Sequence, residues 1–457
     1  MSGTVDARNA PVSDWISGAV SYDTVDRLVG DPISPHTSWR HWRLAFLLSI
    51  ALTLLMVGLL GTVFSPWGGV GLWGINTMVV WGTPIAGYVW WIGIGNAGTL
   101  ISSMLTLTKQ SWRASINRFA EAMTLFAVAI AGLFPIIHMG RPLYWYWLAP
   151  YPNTMGLWPQ WRSALVWDFW AILSYLLFSI LFWYVGLLPD LATLRDRVDG
   201  PLRQKIFGAL ALGWRGSARH WHVHGVLHRT MAALAVPLVC SVHSIVGLDF
   251  AASLMPGWNE TIFPPYFVVG AMFSGFAMVI VLAAFVRRAL RLEPIITLRH
   301  FDVMAKILLA ASIIMGVSYA NEWFSGWYSG QPADRHVVAY GFTGDYAAEY
   351  WAMLLCNVLV PQLLWFRNMR MHVPALVAIA VVVNIGMALE RILIIRDTLS
   401  LGELPSMWRV TATSAAEWAL IAGSLGTFAF LFLGFVRLLP CVSMHEVKKL
   451  VFEERAG

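Results

Sequence analysis

Residues 264–286 read PPYFVVGAMFSGFAMVIVLAAFV, an apolar run without a charged side chain. A helix of that length rises about 35 Å, enough to cross the ~30 Å hydrocarbon core of a bilayer. Nine more blocks of the same kind occupy 42–64, 80–106, 119–139, 166–188, 226–248, 301–327, 347–366, 372–394 and 413–437. Polar, arginine-bearing stretches separate them. The blocks account for the composition of the 457 residues, 58% hydrophobic and 12% charged, where a soluble domain carries about 25% charged residues. The reading is an all-α integral membrane protein with ten transmembrane helices at 42–437. A polar tail over 1–41, which holds no apolar core of a signal peptide, precedes the helices, and a second tail over 438–457 follows them.

Cytoplasmic loops carry the excess of lysine and arginine. One set of loops holds Lys109, Arg113, Arg118, Arg195, Arg197, Arg203, Lys205, Arg215, Arg219, Arg287, Arg288, Arg291, Arg299, Arg367 and Arg370. The alternate loops hold only Arg141, Arg162, Arg335, Arg396 and Arg409. Both termini are therefore expected on the cytoplasmic side of a bacterial inner membrane. The net charge of +6 is topological and gives no case for nucleic acid. The inner loop 189–225 is the most basic. The outer loops 65–79, 140–165, 249–263 and 328–346 are rich in Trp, Pro and Gly, with Trp67, Trp73, Trp145, Trp147, Trp158 and Trp161 among them. Such aromatics form interfacial belts and also suit a docking face for a peripheral subunit.

The three cysteines, Cys240, Cys356 and Cys441, are too few and too far apart for an iron–sulfur cluster or structural zinc. A bis-histidine haem needs ligands facing each other from two helices; the third span offers only His138, and outside the fifth the other spans hold no deep histidine. No haem or iron–sulfur cluster is expected in this chain. The run His220, His222, His224 and His228 reads as part of the solvated basic loop rather than as a metal site.

An ionisable side chain near the bilayer centre costs at least ~2.5–3.5 kcal/mol, so those inside spans mark pairs, pathways or sites. His138 ends the third span, Asp168 begins the fourth and Asp249 closes the fifth. Alternating helix direction puts all three at one depth on the outer side, with Arg141 three residues beyond His138. A histidine with two carboxylates at the membrane edge can accept the protons that a quinol loses on oxidation. Arg141 would hold a carboxylate ionised. The plainer reading is helix-end residues solvated at the interface. A second set comprises Glu121, His243, Glu322, Glu349, Glu390, Arg391 and Glu417, with Arg229 nearer the inner side. Glu121, His243, Glu322, Glu390 and Arg391 could form a proton path, but most of the set reads as structural pairs. Glu390 and Arg391, being adjacent, point to different sides of their helix and are expected to find partners elsewhere.

The string HMGRP at 138–142 resembles the HxGRP signature of the NrfD/PsrC family of quinone-reactive membrane subunits. Two longer stretches, GRPLYWYWLAPYPNTMGLWPQWRSALVWDFWAI and RTMAALAVPLVCSVHSIVGLDFAASLMPGWNETIFPPYFVVGAMFSG, look like members of that family that belong to alternative complex III. The resemblance runs from about residue 42 to the end, with its motifs concentrated between 90 and 275. It implies two four-helix bundles, helices 2–5 over about 80–248 and helices 6–9 over about 264–394, with one flanking helix at each end. It also implies a quinol site at His138, Asp168 and Asp249, with menaquinone preferred to ubiquinone. The implied partners are an iron–sulfur subunit and a multihaem cytochrome c subunit on the outer face, and a second NrfD-like membrane subunit. Two alternatives stand beside quinol oxidation in that complex. One is the membrane anchor of a molybdoenzyme such as polysulfide reductase. The other is a secondary transporter, against which the edge position of the polar cluster weighs, because transporter sites lie at the midplane.

Overall fold

In hydrocarbon every backbone N–H and C=O must be satisfied within the protein, which leaves an apolar segment the helix as its only open-ended form. Each apolar block is helical in the computed structural model, which describes residues 15–17, 20–33, 40–65, 69–75, 79–137, 139–401 and 405–456. In chain order the helices are α1 Tyr22–Gly30, α2 Arg43–Val63, α3 Thr83–Leu107, α4 Asn117–Ile137, α5 Ala164–Arg197, α6 Pro201–Leu210, α7 Ala218–Ala251, α8 Phe263–Ala289, α9 Leu298–Tyr328, α10 Pro332–Thr343, α11 Ala347–Trp365, α12 Val373–Ser400, α13 Ala415–Leu438 and α14 Met444–Ala456. Among the described residues, nine of these are long and apolar enough to cross a membrane: α2, α4, α5, α7, α8, α9, α11, α12 and α13.

The second of the ten expected spans is the exception. It forms α3, a 25-residue helix rich in Gly, Ser, Thr and Trp and buried along most of its length. It needs little hydrophobicity because protein, not lipid, surrounds it.

Helices α3, α4, α5 and α7 pack as a closed four-helix ring, and α8, α9, α11 and α12 as a second. The rings join where α3 and α7 meet α8 and where α3 meets α12, while α2 and α13 pair as a flanking hairpin against α4 and α3. At the first joint a Cβ on Gly275 of α8 would stand 1.7 Å from the Ala97 Cβ of α3. Small residues here let two backbones approach as closely as in other membrane interfaces.

Several connecting segments are more ordered than their polarity suggests. The stretch 189–225 is mostly helical, built from the end of α5, all of α6 and the start of α7. At 34 residues, α5 and α7 are each about 51 Å long and overrun the hydrocarbon core. The four histidines of 220–228 therefore ride on the first turns of α7. The His224 and His228 rings stack 5.8 Å apart, and His228 stacks on Phe182 at 4.9 Å. His224 is buried and its Nε2 lies 3.0 Å from the Val185 carbonyl. The solvated-loop reading is thus corrected for His224 and His228, because a spacing of four puts them on one helix face against α5.

The described parts of both tails fold back at this basic end. Helix α1 packs on α14, and Lys448 bridges Asp26 at 2.7 Å. Arg113 pairs with Glu446 at 2.7 Å. The buried Arg118–Asp190 pair lies at 3.0 Å, and Asp190 also accepts from the His445 amide.

At the opposite end the start of α13 is held by Glu417, whose carboxylate accepts from the backbone N–H of Gly74, Thr83 and Ser414 at 3.2, 2.8 and 2.7 Å. A Cβ at Gly82 would fall 2.5 Å from the Glu417 Oε1. Glu417 is therefore a structural anchor for the start of α3.

Replacing Glu417→Ala would leave buried N–H groups unpaired, at about 1–3 kcal/mol each. The purified variant should unfold at lower temperature than wild type, while Glu417→Gln, which keeps an acceptor oxygen, should recover part of the loss. Burial alone would push the Glu446 carboxyl up, but Arg113, His445 and His228 outweigh it and hold the pKa at about 2. A depressed carboxyl stabilises the fold above its unfolded pKa, and that stabilisation is lost as pH falls through the folded value. Amide protection over 444–456 should therefore be full above about pH 4.5, decline toward pH 2, and be weakened at neutral pH in Glu446→Gln.

Candidate functional site

Asp168 stands in the second turn of α5, Asp249 in the last turn of α7 and Tyr88 in the second turn of α3. The first two were expected at one depth, and the fold brings them to one cavity. Its walls are Trp81, Ile85, Tyr88, Val89, Pro135, Ala164, Leu165, Asp168, Asp249 and Phe250, around a volume of about 20 Å³. That is room for about one water molecule. Trp81 stacks on Trp258 at 5.9 Å and Phe250 meets the same ring edge-on at 4.9 Å, so the apolar wall is itself backed by an aromatic layer.

The polar atoms in this cavity are under-satisfied. Asp168 Oδ1, Asp249 Oδ1 and the Tyr88 hydroxyl are buried facing one another, and none makes a hydrogen bond of normal geometry among the described residues. Two other buried carboxylate oxygens share that condition, but Asp26 Oδ1 pairs with Lys448 and Glu390 Oε1 with Arg391. Asp168 and Asp249 make no ion pair among the described residues. A buried polar group without a partner costs roughly 1–3 kcal/mol. Such a cost, concentrated in one cavity, is what a site for a polar ligand group carries before that group arrives. His138 lies outside the described residues; Ile137, the last residue of α4, is buried. Arg141 begins the segment after α4, is exposed, and forms no ion pair with a described carboxylate. Tyr88 was not among the sequence candidates; the signal was a phenol in a span only two turns from its start.

The second set divides. Glu121 accepts from Ser102 Oγ at 2.5 Å inside the first ring. His243 sits at the junction of α3, α7 and α8, its Nδ1 against the Asn96 amide and its Nε2 without a partner among the described residues. Glu322 and Glu390 belong to the second ring, where they line a cavity of about 80 Å³ with Glu260, Tyr266, Tyr319 and Asp397. The Glu390 carboxylate accepts from the Tyr319 hydroxyl and from Asn357 Nδ2 at 3.2 Å.

Glu390 and Arg391 do pair with each other, at 2.9 Å, which corrects the expectation of separate partners. The long arginine side chain folds back along the helix and lays its guanidinium 4.2 Å from the Phe267 ring centre. Glu349 pairs with Arg396. Glu121 and His243 thus stand in or beside the first ring, and Glu322, Glu390 and Arg391 in the second.

The arrangement around Asp168 sets two carboxyl groups and a phenol in apolar walls, groups that exchange protons and hydrogen-bond hydroxyl or carbonyl oxygens. Comparison with known proteins agrees with a redox setting. A protein of Halobacterium salinarum, named as a putative membrane subunit of dimethyl sulfoxide reductase, is 25% identical over 237 residues, 52% of this chain and 50% of its own length. A selenate reductase subunit of Mesobacillus selenatarsenatis is 23% identical over 239 residues, 50% of this chain and 54% of its own. The chain thus spans about half the length of these curated relatives. Residues 72–400 match the profile of the family described as polysulphide reductase, NrfD. That match takes in both helical rings and the cavity, and the chain belongs to the NrfD family of redox-complex membrane subunits.

Proposed function

We propose that the chain oxidises a quinol at the Asp168–Asp249 cavity and hands the electrons to a peripheral subunit bound at that end of the bundle. The observation that carries this reading is the pair of buried carboxylates without an ion pair among the described residues, facing each other and the Tyr88 hydroxyl in one cavity. A quinol offers two hydroxyl groups on an apolar ring, matching polar atoms set in aromatic and aliphatic walls. Oxidation releases two electrons and two protons. Asp168, Asp249 and His138 would take the protons, with Tyr88 orienting an oxygen of the ring, and a partner with iron–sulfur clusters would take the electrons. A cavity of about 20 Å³ does not hold the ring, so binding would displace the Trp81 or Phe250 side chain.

The aromatic loops at this end support the docking role. Trp145, Trp147, Trp158 and Trp161 are all exposed among the segments after α4, together with Met155 at 77%. Apolar residues left exposed beyond a membrane span suit a protein interface. Trp73 is buried instead, and Trp67 lies outside the described residues. The basic loops gather at the other end, which supports an orientation with both termini cytoplasmic and the cavity outward in a bacterial inner membrane.

The assembly we favour is alternative complex III, with menaquinol as donor, a multihaem cytochrome c beyond the iron–sulfur subunit and a second NrfD-like membrane subunit alongside. The names of the two relatives favour the other assembly, the membrane anchor of a molybdenum-containing reductase. Purification in mild detergent with mass spectrometry of the attached subunits separates them. Multihaem and iron–sulfur partners are expected, and a molybdopterin subunit would move the chain to the reductase reading.

Asp168→Asn, Asp249→Asn and His138→Ala should each lower quinol oxidation at least about a hundredfold, the usual contribution of a positioned proton acceptor, in complexes that still assemble. Tyr88→Phe should raise KM for quinol more than it lowers kcat. Full activity in Asp168→Asn would overturn the site.

A further inference from the structure

A groove at the basic end of the α2–α13 hairpin points to a ligand of a different kind. It is lined by Arg40, Trp42, Arg43, Phe46, Leu433 and Arg437, with a volume of about 320 Å³ and no carboxylate in its walls among the described residues. The walls are built. The Trp42 ring stands edge-on to Phe285 of α8 at 4.9 Å, and Phe46 packs on Phe430 at 5.5 Å. Arg437 is tethered by donation from its Nη1 to the Pro32 carbonyl. Arg40 and Arg43 reach the groove from the exposed start of α2. Below them α2 is the least covered of the nine spans, with 11% of its apolar window buried inside the protein. Leu44, Leu47 and Leu48 are all more than half exposed.

We propose that this groove binds an anionic membrane phospholipid, its phosphate held by Arg40 and Arg43 and its acyl chains laid along α2. The Arg40 and Arg43 guanidinium groups at one apolar-walled opening repel one another, and a phosphate relieves the repulsion through charge-assisted, often bidentate hydrogen bonds. A tryptophan at the headgroup level completes the pattern, because its ring sits where polar and apolar layers meet. Basic pockets between spans bind anionic headgroups on these grounds. The lipid would pin the α2–α13 hairpin to α8, which Trp42 already touches, and so hold the flanking pair against the two rings. Neither the quinol reading nor the assembly bears on this site.

The test uses the full complex purified in mild detergent, delipidated, and then offered phosphatidylglycerol, phosphatidylcholine or inorganic phosphate, with native mass spectrometry of the retained molecules. Wild type should retain phosphatidylglycerol about thirtyfold over phosphatidylcholine, as expected from two arginine–headgroup contacts. The double variant Arg40→Gln/Arg43→Gln should lose that preference, while Arg40→Lys/Arg43→Lys, which keeps the charge, should retain most of it and shows that the changed helix start still folds. Equal retention of the two lipids by wild type, or an unchanged preference in the glutamine variant, would overturn the proposal. So would loss in the lysine variant as deep as in the glutamine one. Displacement of phosphatidylglycerol by equimolar inorganic phosphate would mark a free-anion site and overturn the lipid reading.

Discussion

The absence of water in the hydrocarbon layer governs this molecule: any polar group placed there must find its partner inside the chain. Glu417 satisfies three backbone N–H groups that no helix could. The Glu390 carboxylate is shared by a phenol, an amide and a guanidinium. The Arg118–Asp190 pair is closed on a third side by the Gly186 carbonyl, which accepts from Arg118 at 2.7 Å. Against these closed pairings, a cavity with carboxylate and phenol oxygens open to one another has a chemical meaning that single residues in a sequence lack.

The position of that cavity depends on α3. This helix touches both rings and the flanking hairpin, and it can do so only because its neighbours come unusually close. A Cβ on Gly98 would sit 2.1 Å from the Ala120 carbonyl oxygen of α4. A bulkier residue would wedge α3 from α4 and shift Tyr88 away from the carboxylates on α5 and α7. Packing in the middle of the bilayer is thereby coupled to geometry at its edge.

The two rings divide the chemistry. The first holds the cavity of Asp168 and Asp249, with Glu121 deeper and His243 at the border with α8. The second holds Glu322, Glu390, Arg391 and their tyrosines around a cavity of its own. The second ring also contains two wider-turned segments, Leu355–Leu359 in α11 and Leu393–Asp397 in α12. Such bulges in a helix recur at functional positions, and the one in α12 begins three residues after Glu390 and includes Asp397.

The sequence by itself determined the helices, because a run of twenty apolar residues has one way to bury its backbone in lipid. Alternation of those helices placed Asp168 and Asp249 at one end without any knowledge of contacts. Burial of α3 on all sides was not legible, since an interior helix and a weakly amphipathic surface helix share a moderate hydropathy. The folding-back of both tails, the histidine stack on α7 and the Glu390–Arg391 pair were also decided only in three dimensions, as each depends on a side chain from a distant segment or on a rotamer that spacing does not fix. Tyr88 belongs with these. A phenol in a span is a weak signal until closure of the first ring sets its hydroxyl before two carboxylates, because the pattern of a sequence records where a side chain can lie and only the tertiary contacts fix what it faces.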